Sequence, residues 1–322
     1  MPHVLLAGPL HRAGLALLEE REDLTIETLR PDDGRFAARA PEADAVLVWL
    51  EPVTAALLDS CPKLRVVARY GVGFDTVDIA ACTARGIPVA VANGANDLSV
   101  AEHAMMLMLA VARRTVAYDA KVRRGEWRQG AMPPMHELAG RTVLVIGYGR
   151  IGTRVARLCA AFGMRVMVHD PAFPTPRVAA DGHIPAPDWR AALAEADVVT
   201  LHCPLHPGTR GMVDAEAFAQ MCEGAWLINT ARGGVVDEPA MIEALRSGRI
   251  AAGLDVLAIE PPAADHPLFA LENVVLAPHN AASPDECLAK MAVRSARNII
   301  EALDGSIDPG FLVNPEVLRR NA

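Results

Sequence analysis

The residues VLVIGYGRIG at positions 143–152 decide the fold of this chain. Four apolar residues suited to a buried parallel strand lead directly into a G-x-G-x-x-G pattern, and a helical pattern follows from Thr153 to Phe162. In this context Gly147 allows a sharp turn, Gly149 allows a pyrophosphate to approach the backbone, and Gly152 allows the helix to pack closely on the strand. The free N–H groups that begin the helix favour phosphate binding. The stretch therefore predicts a dinucleotide site.

The next apolar run, Arg165–His169, supports this prediction because Asp170 follows it directly. An acidic residue about 20 positions beyond the glycines is placed to accept hydrogen bonds from ribose hydroxyls. Two alternatives stay open from these residues alone. The glycines can serve a tight strand-to-helix turn without a ligand, and Asp170 can cap the turn before Pro171. The two signals together favour a dinucleotide-binding domain.

Composition sets the outer limits of the interpretation. At 322 residues the chain is long enough for two domains, and 52% apolar with 22% charged residues is typical of a soluble globular protein. A net charge of −8 argues against nucleic acid or an anionic membrane as the main partner. Six scattered cysteines without a CxxC pair predict free thiols rather than disulfides or a metal site. We expect a cytoplasmic protein, because the first apolar run, Val4–Ala7, lacks a basic leader and no stretch approaches the ~20 apolar residues of a membrane span.

The region before the glycine motif predicts a second α/β domain. Apolar runs alternate there with helical patterns, which indicates a parallel sheet; the runs are His3–Ala7, Leu24–Leu29, Ala45–Leu50, Leu64–Ala68 and Ile87–Ala92. This domain lacks a G-x-G-x-x-G motif. Its loop Gly71-Val72-Gly73 leaves the carboxyl end of a predicted strand, where its N–H groups can form an anion site. A plain glycine turn is the alternative.

A long helix is predicted between the two α/β regions. The polar segment Asn93–Leu98 suggests a hinge, and Ser99 and Glu102 have the spacing of a capping box. We therefore expect a helix that begins at Ser99 and continues to Lys121. Its apolar residues cover more than one face, so we expect part of it to form an interface between subunits.

Polar residues stand at the ends of several predicted strands in the second half. Cys203-Pro204 ends one strand, Arg232 follows another, and Asp255 and His279 end two more. The carboxyl ends of parallel strands meet at one edge of a sheet, so these residues are expected where a Rossmann sheet holds its cofactor.

The motifs taken together resemble a known family. GYGRIG (147–152), HDP (169–171), TARGG (230–234), GLDV (253–256) and PHNAAS (278–283) resemble the D-isomer-specific 2-hydroxyacid dehydrogenases, and the resemblance spans nearly the whole chain. It implies an α/β fold of two doubly wound, Rossmann-like domains. An NAD-binding domain, residues 98–285, would be inserted into a substrate-binding domain made of residues 1–97 and 286–322.

The resemblance also implies roles for individual residues. Arg232 would bind the substrate carboxylate, His279 would be the acid/base, and Glu260 its partner. The substrate would also contact the backbone of Gly71, Val72 and Gly73. A homodimer would form through Ser99–Lys121. NAD is the implied cofactor, and the positions implied to contact it are Val72, Gly147, Gly149, Arg150, Ile151, Gly152, Asp170, Cys203, Pro204, Thr230, Ala231, Asp255 and Ala282.

These residue types suit the implied chemistry. Reducing a keto acid places a hydride on carbon and requires a proton on oxygen. Histidine suits that proton because its free pKa, about 6.5, lies near the operating pH. Arginine can hold a carboxylate with two parallel hydrogen bonds, and a buried carboxylate such as Glu260 can orient the imidazole.

Some features depart from the family pattern or leave alternatives. Ala281 stands where relatives commonly have glycine, and Ser283 where threonine is frequent. An NAD-binding regulator of the corepressor type would share the fold, and 3-phosphoglycerate dehydrogenase is an alternative within the enzyme class. Arg69 is either an anion contact or a surface arginine. Because Glu51 would repel a phosphate if it faced the site, we expect a small unphosphorylated substrate.

Overall fold

A computed structural model describes residues 1–30, 34–128 and 134–319 of the chain. The chain divides into two compact units. The first unit consists of Met1–Asn96 and the chain from Ser283 onward, and the second unit is Asp97–Ala282. The sequence predicts domain boundaries after residues 97 and 285. In the structure the chain passes from one unit to the other after residues 96 and 282.

The first unit is a five-stranded parallel sheet with helices. Numbered along the whole chain, its strands lie in the order β2-β1-β3-β4-β5. The strands are β1 (His3–Leu6), β2 (Thr25–Thr28), β3 (Ala45–Val48), β4 (Val66–Arg69) and β5 (Val89–Ala90). The helices are α1 (Arg12–Glu19), α2 (Phe36–Arg39), α3 (Ala55–Asp59), α4 (Ile79–Ala84) and α12 (Asp285–Leu303).

Close packing between α1 and α12 holds the C-terminal part of the chain in this unit. Gly14 of α1 is buried, and a Cβ added to it would lie 2.5 Å from the carbonyl carbon of Ala292. Only glycine lets the two helix backbones approach this closely. Tyr70, which follows β4, donates its hydroxyl to the carbonyl of Leu288 at 2.9 Å. The position of α12 is therefore specified by the close helix contact at Gly14 and by a partly buried hydrogen bond.

The second unit is a seven-stranded parallel sheet with strand order β12-β11-β10-β9-β6-β7-β8. Its strands are β6 (Thr142–Ile146), β7 (Arg165–His169), β8 (Ile184–Pro185), β9 (Val198–Leu201), β10 (Ala225–Asn229), β11 (Ile250–Leu254) and β12 (Val274–Leu276). Its helices are α5 (Asp97–Ala112), α6 (Thr115–Arg123), α7 (Arg150–Ala161), α8 (Thr175–Ala180), α9 (Trp189–Ala192), α10 (Ala215–Gln220) and α11 (Glu238–Arg246). The predicted doubly wound α/β class is confirmed.

Both faces of this sheet are covered, which explains why its strands are apolar without alternation. On β6, Leu144 and Ile146 pack into one hydrophobic core, whereas Val143 and Val145 pack into the core on the opposite face. The carboxyl ends of β6, β9, β10 and β11 then lie side by side, with the glycine turn following β6 near the middle of the sheet.

The prediction of one capped helix from Ser99 to Lys121 is wrong in two respects. The helix α5 begins at Asp97, so Ser99 lies inside it and is not the N-cap residue. A carboxylate in the first turn suits the positive end of a helix, which explains the earlier start. Arg114 then adopts a left-handed conformation with φ of 48°, which interrupts the helix before α6 begins.

None of the helices in the described ranges is long and apolar enough to cross a bilayer. In the same ranges, no group of three or more His, Cys, Asp or Glu side chains is arranged to hold a metal ion.

Candidate active site

The glycine turn after β6 has the steric features that its sequence predicts. Gly147 has φ of 96°, and a Cβ on it would lie 2.6 Å from the amide nitrogen of Cys203. A Cβ on Gly152 would overlap the carbonyl oxygen of Gly147. At Gly149, by contrast, an added Cβ would meet no described atom within 4 Å. Two glycines therefore permit close packing, and the third faces open space at the start of α7.

Asp170 caps the turn that contains Pro171, as one of the two interpretations of the sequence expected. Its Oδ2 accepts the amide of Tyr148 at 2.7 Å, and its Oδ1 accepts the amide of Ala172 at 2.8 Å. The carboxylate thereby ties the end of β7 to the glycine turn after β6. Each carboxylate oxygen can accept more than one hydrogen bond, so this capping is compatible with additional hydroxyl donors.

The other predicted cofactor positions of the second unit lie around the same edge of its sheet. Arg150 is exposed and Ile151 half-buried in the first turn of α7, while Pro204 is exposed and Ala231 and Ala282 are half-buried. Thr230 is 8% exposed, and its Oγ1 has no hydrogen-bond partner in the described part of the chain. Burial raises the pKa of Cys203 to about 11, so its thiol is protonated at neutral pH and is unsuited to nucleophilic chemistry.

His202, beneath the glycine turn, was not predicted from the sequence. Its Nε2 lies 2.8 Å from Thr200 Oγ1, and burial lowers its pKa to about 3. The ring is therefore neutral near pH 7. The signal that could have identified it is its position between a buried strand and Cys203.

A buried asparagine shapes the turn that carries Arg232. Asn229, at the end of β10, accepts the amide of Ala231 at 3.0 Å and donates to the carbonyl of Arg232 at 3.0 Å. The Arg232 side chain donates from Nη1 to the carbonyl of Ala231 at 2.7 Å. Gly233 then packs so closely on the carbonyl of Leu257 that a side chain could not fit. Asn229 was missed in the sequence, where it read only as the end of an apolar strand.

His279 and Glu260 form a close pair, although they come from different loops. His279 Nδ1 lies 2.6 Å from Glu260 Oε2, and the other carboxylate oxygen accepts the amide of Leu257 at 2.9 Å. Burial raises the pKa of Glu260, but the hydrogen bond with His279, the Leu257 amide, and the charges of His279 and Arg232 together lower it below its ordinary value. Glu260 and His279 are thus brought together, and Arg232 is near enough for its charge to lower the pKa of Glu260.

Asp255 holds the loop that carries His279. Its side chain is 1% exposed and accepts the amides of Asn280 at 2.9 Å and Ala281 at 3.1 Å. His103 Nε2 lies 3.2 Å from the same carboxylate. Burial raises the pKa of Asp255, but the nearby His103 side chain and the two amides have the larger, opposite effect, so the pKa is lowered and the group is ionised. His103, which the sequence did not indicate, is a further member of this network.

The loop Gly71–Gly73 belongs to the first unit and follows β4. Gly71 has φ of 144°, and its carbonyl accepts the amide of Ala92 at 2.8 Å. Arg69 is 7% exposed and donates to the carbonyls of Val48 and Tyr70, so the surface-arginine alternative is wrong. Glu51 folds back to accept the amides of Trp49 at 2.7 Å and Leu50 at 3.1 Å.

Comparison with known proteins gives a consistent result. Residues 105–281 match the family model described as the NAD binding domain of D-isomer specific 2-hydroxyacid dehydrogenase. The chain is 41% identical to a D-3-phosphoglycerate dehydrogenase from Mycobacterium leprae over 98% of this chain and 61% of that protein. It therefore spans less than two thirds of that relative's length. It is 38% identical to a glyoxylate reductase from Korarchaeum cryptofilum over 99% of this chain and 97% of that protein.

A solved structure shows the same likeness in three dimensions. A D-lactate dehydrogenase from Aquifex aeolicus, crystallised with NAD and lactic acid, superposes with a TM-score of 0.87 at 27% identity. The alignment covers 97% of this chain and 99% of that one.

The contact between Glu260 and His279 leads to a prediction about the pKa of Glu260. His279→Ala should raise the pKa of the Glu260 carboxyl. The hydrogen bond with His279 and the coulombic interaction with His279 both lower this pKa and are lost in the variant, while the burial that raises it remains. Carbon-13 NMR of labelled glutamate side chains against pH would measure it. The exposed His206 serves as the matched control, since His206→Ala should leave the Glu260 titration unchanged. An unchanged pKa in His279→Ala would mean that the pair does not form in solution.

Proposed function

The chain belongs to the D-isomer specific 2-hydroxyacid dehydrogenase family, and we propose that it transfers a hydride between NAD(H) and a small D-2-hydroxy acid or its 2-keto acid. The observation that carries this proposal is the 2.6 Å contact between His279 and Glu260, with Arg232 close enough to influence the Glu260 pKa. A histidine oriented by a carboxylate suits proton transfer, and an adjacent guanidinium suits a carboxylate substrate.

The residues around the glycine turn fit a dinucleotide. NAD(H), when bound, supplies the hydride carrier. The open space at Gly149 and the uncapped start of α7 suit a pyrophosphate, and Asp170 retains acceptor capacity for ribose hydroxyls. The buried Thr230 hydroxyl, which has no described partner, offers a further polar contact. We assign the remaining cofactor contacts to the positions named from the family resemblance.

His279 would hold the proton that the substrate oxygen gains or loses. Its Nδ1 faces Glu260, so Nε2 is the ring atom left to exchange a proton with the substrate. Glu260 would keep the ring oriented. Arg232 would bind the carboxylate bidentately and stabilise negative charge on the carbonyl oxygen.

The substrate is proposed to be small and unphosphorylated. In the first unit, the Gly71–Gly73 backbone is proposed to supply N–H groups to the carboxylate. A doubly charged phosphate tail favours at least two cations, and the sequence nominated only Arg69, whose Nη1 donates to main-chain carbonyls. The 41% identity to a D-3-phosphoglycerate dehydrogenase makes phosphorylated substrates the second candidate.

Asp170 also supports a preference for NAD over NADP. Its negative charge would repel a 2′-phosphate, and Pro171-Ala172-Phe173 supply no cation to attract one. Arg177, the nearest following arginine, places its guanidinium 5.2 Å from the centre of the Phe173 ring. It is thus engaged with an aromatic face.

We further propose a homodimer formed through α6. Most of α5 is buried in its own unit, whereas α6 has no fully buried residue. A groove of about 1110 Å³ runs beside α6 and β12, and apolar side chains along it remain exposed: Val116 59%, Phe269 51% and Leu276 37%. Arg114, Arg124 and Glu272 line the same groove, so one surface carries both signs of charge. Such a surface suits a two-fold contact with a second copy.

The first test of function compares substrates. The protein should oxidise NADH with hydroxypyruvate or glyoxylate, and kcat/KM for hydroxypyruvate should exceed that for phosphohydroxypyruvate by roughly tenfold or more, because the sequence nominated only Arg69 as a cation for a phosphate group. Absorbance loss at the NADH band measures both. A tenfold preference for phosphohydroxypyruvate would establish the second candidate instead.

The control for that assay is His279→Ala. Removing a positioned acid/base should lower kcat by ~10²–10⁴-fold while NADH binding, followed by fluorescence, persists. His206→Ala should remain fully active. Turnover that survives in His279→Ala would refute the assigned acid/base, and NADH binding without turnover of any 2-keto acid by the natural protein would favour a regulatory role.

Cofactor preference can be tested with a single substitution. The natural protein should favour NADH over NADPH by roughly tenfold or more in kcat/KM. Asp170→Asn should narrow that ratio, because it removes the charge but keeps an oxygen that can accept the Tyr148 amide. Equal kcat/KM for the two cofactors in the natural protein would contradict the preference.

The dimer can be tested by placing charge in the groove. Sedimentation velocity at micromolar concentration should show a dimer for the natural protein. It should show a monomer for the double variant Val116→Asp, Phe269→Asp, because two apolar contacts would be lost and two carboxylates would have to be desolvated at the interface. Phe162→Asp, at an exposed position 44% accessible on the end of α7, is the matched control and should remain dimeric. A monomeric natural protein would refute the dimer.

A further inference from the structure

A second carboxylate–histidine pair lies beside the first. Glu238 Oε1 is 3.2 Å from His266 Nε2, and both side chains are largely buried, at 13% and 14% exposure. The other oxygen, Oε2, accepts the amide of Ala258 at 2.9 Å. Ala258 lies two residues before Glu260. The proposed reaction gives neither Glu238 nor His266 a task.

The segment that carries Glu260 has few other attachments besides the packing of Leu257 against the hydrophobic core of the second unit. Leu257–Glu260 contains no helix or strand, and Ile259 is 75% exposed. The Leu257 amide is bonded to the Glu260 carboxylate, but that bond is internal to the segment and would move with it. Among the hydrogen bonds of the described residues, the Ala258–Glu238 bond is the one that joins this segment to a helix or strand.

The Glu238 side of this bond is well anchored. Glu238 is the first residue of α11, where a carboxylate suits the helix N-terminus. The helix buries Met241, Ala244 and Leu245 in the core of the second unit. An amide bonded to Glu238 is therefore fixed relative to the sheet.

His266 restrains the Glu238 carboxylate in turn. The amide of Leu268 points at His266 Nδ1 from 3.4 Å, at the start of a short 3₁₀ helix, Pro267–Ala270. Nδ1 therefore acts as the acceptor, which leaves Nε2 to carry the proton and donate to Glu238. The ring also packs against Phe269, with centroids 5.7 Å apart.

The same segment touches the turn that carries Arg232. Gly233 lies directly against the carbonyl of Leu257 and the amide of Ala258, in a space that a side chain would fill. A shift of Ala258 would thus alter the spacing of Glu260 from Arg232 as well as from His279.

We propose that Glu238, held by His266, is a positioning residue that fixes the Leu257–Glu260 segment so that the Glu260 carboxylate meets His279. This inference rests on the proposed function for its kinetic consequence, but its structural consequence is independent of it. Misplacement of a catalytic group by about 1 Å can cost on the order of 10²-fold in rate.

The kinetic test is a double-mutant cycle. Glu238→Ala should lower kcat by about 10- to 100-fold, with little change in the KM for NADH, because cofactor contacts lie elsewhere. In a Glu260→Ala background the same substitution should have almost no further effect, since the group it positions is gone. Glu238→Gln should retain more activity, because the amide oxygen can still accept the Ala258 N–H. An undiminished loss in the Glu260→Ala background, or full activity of Glu238→Ala, would overturn the proposal.

A matched control and a second measurement separate this inference from the proposed function. Glu243, on the same helix, is exposed and paired with Arg246, so Glu243→Ala should be unaffected in every assay. Hydrogen–deuterium exchange should quicken in residues 257–260 of Glu238→Ala, should quicken less in Glu238→Gln, and should not change in Glu243→Ala. Unchanged exchange in Glu238→Ala would refute the role of Glu238 in anchoring residues 257–260. Faster exchange in a protein that reduces no 2-keto acid would sustain the anchor and refute the proposed function.

Discussion

The buried carboxylate of Asp255 is the contact on which the candidate site depends. It accepts the amides of Asn280 and Ala281, while the Asp255 carbonyl accepts the amide of His279 at 2.7 Å. His279 has φ of 51°, a left-handed conformation that non-glycine residues adopt infrequently. Three hydrogen bonds to one residue at the end of β11 hold the histidine in that conformation and direct its ring toward Glu260.

Carboxylates acting on backbone amides recur throughout the site. Asp170 binds the Tyr148 amide, Glu260 binds the Leu257 amide, and Glu238 binds the Ala258 amide. Loops that leave the carboxyl ends of parallel strands have N–H groups with no partner in the sheet, and an ionised acceptor makes a stronger hydrogen bond to them than a neutral one does. The arrangement gives irregular loops a defined shape without added secondary structure.

The same contacts explain why Ala281 fits where relatives commonly have glycine. Among the described non-glycine residues, positive φ occurs at Arg114, Arg128 and His279, so position 281 does not need glycine's conformational freedom. Its amide is bonded to Asp255, and its side chain is 4% exposed. The left-handed conformation falls two residues earlier, on the histidine itself.

Local sequence was sufficient for the fold class and for the glycine turn. Apolar runs and glycines act over a few neighbouring residues, so the parallel sheets and the steric roles of Gly147 and Gly152 could be predicted and are confirmed. The predicted limits of the long helix were less accurate. The helix α5 begins before the expected cap, and the left-handed conformation of Arg114 interrupts it although no glycine or proline stands at that position. The motif pattern also nominated Arg232, Glu260 and His279.

The partners of those residues required the folded chain. Glu260 and His279 are 19 positions apart, Glu238 and Ala258 are 20 apart, and Asp255 reaches an amide 25 positions away. No local pattern specifies which carboxylate meets which amide, because the pairing depends on how neighbouring strands align their ends. His103, Asn229 and Glu238 therefore showed nothing distinctive in the sequence, and their contacts became visible only once the sheet had brought the strand ends together.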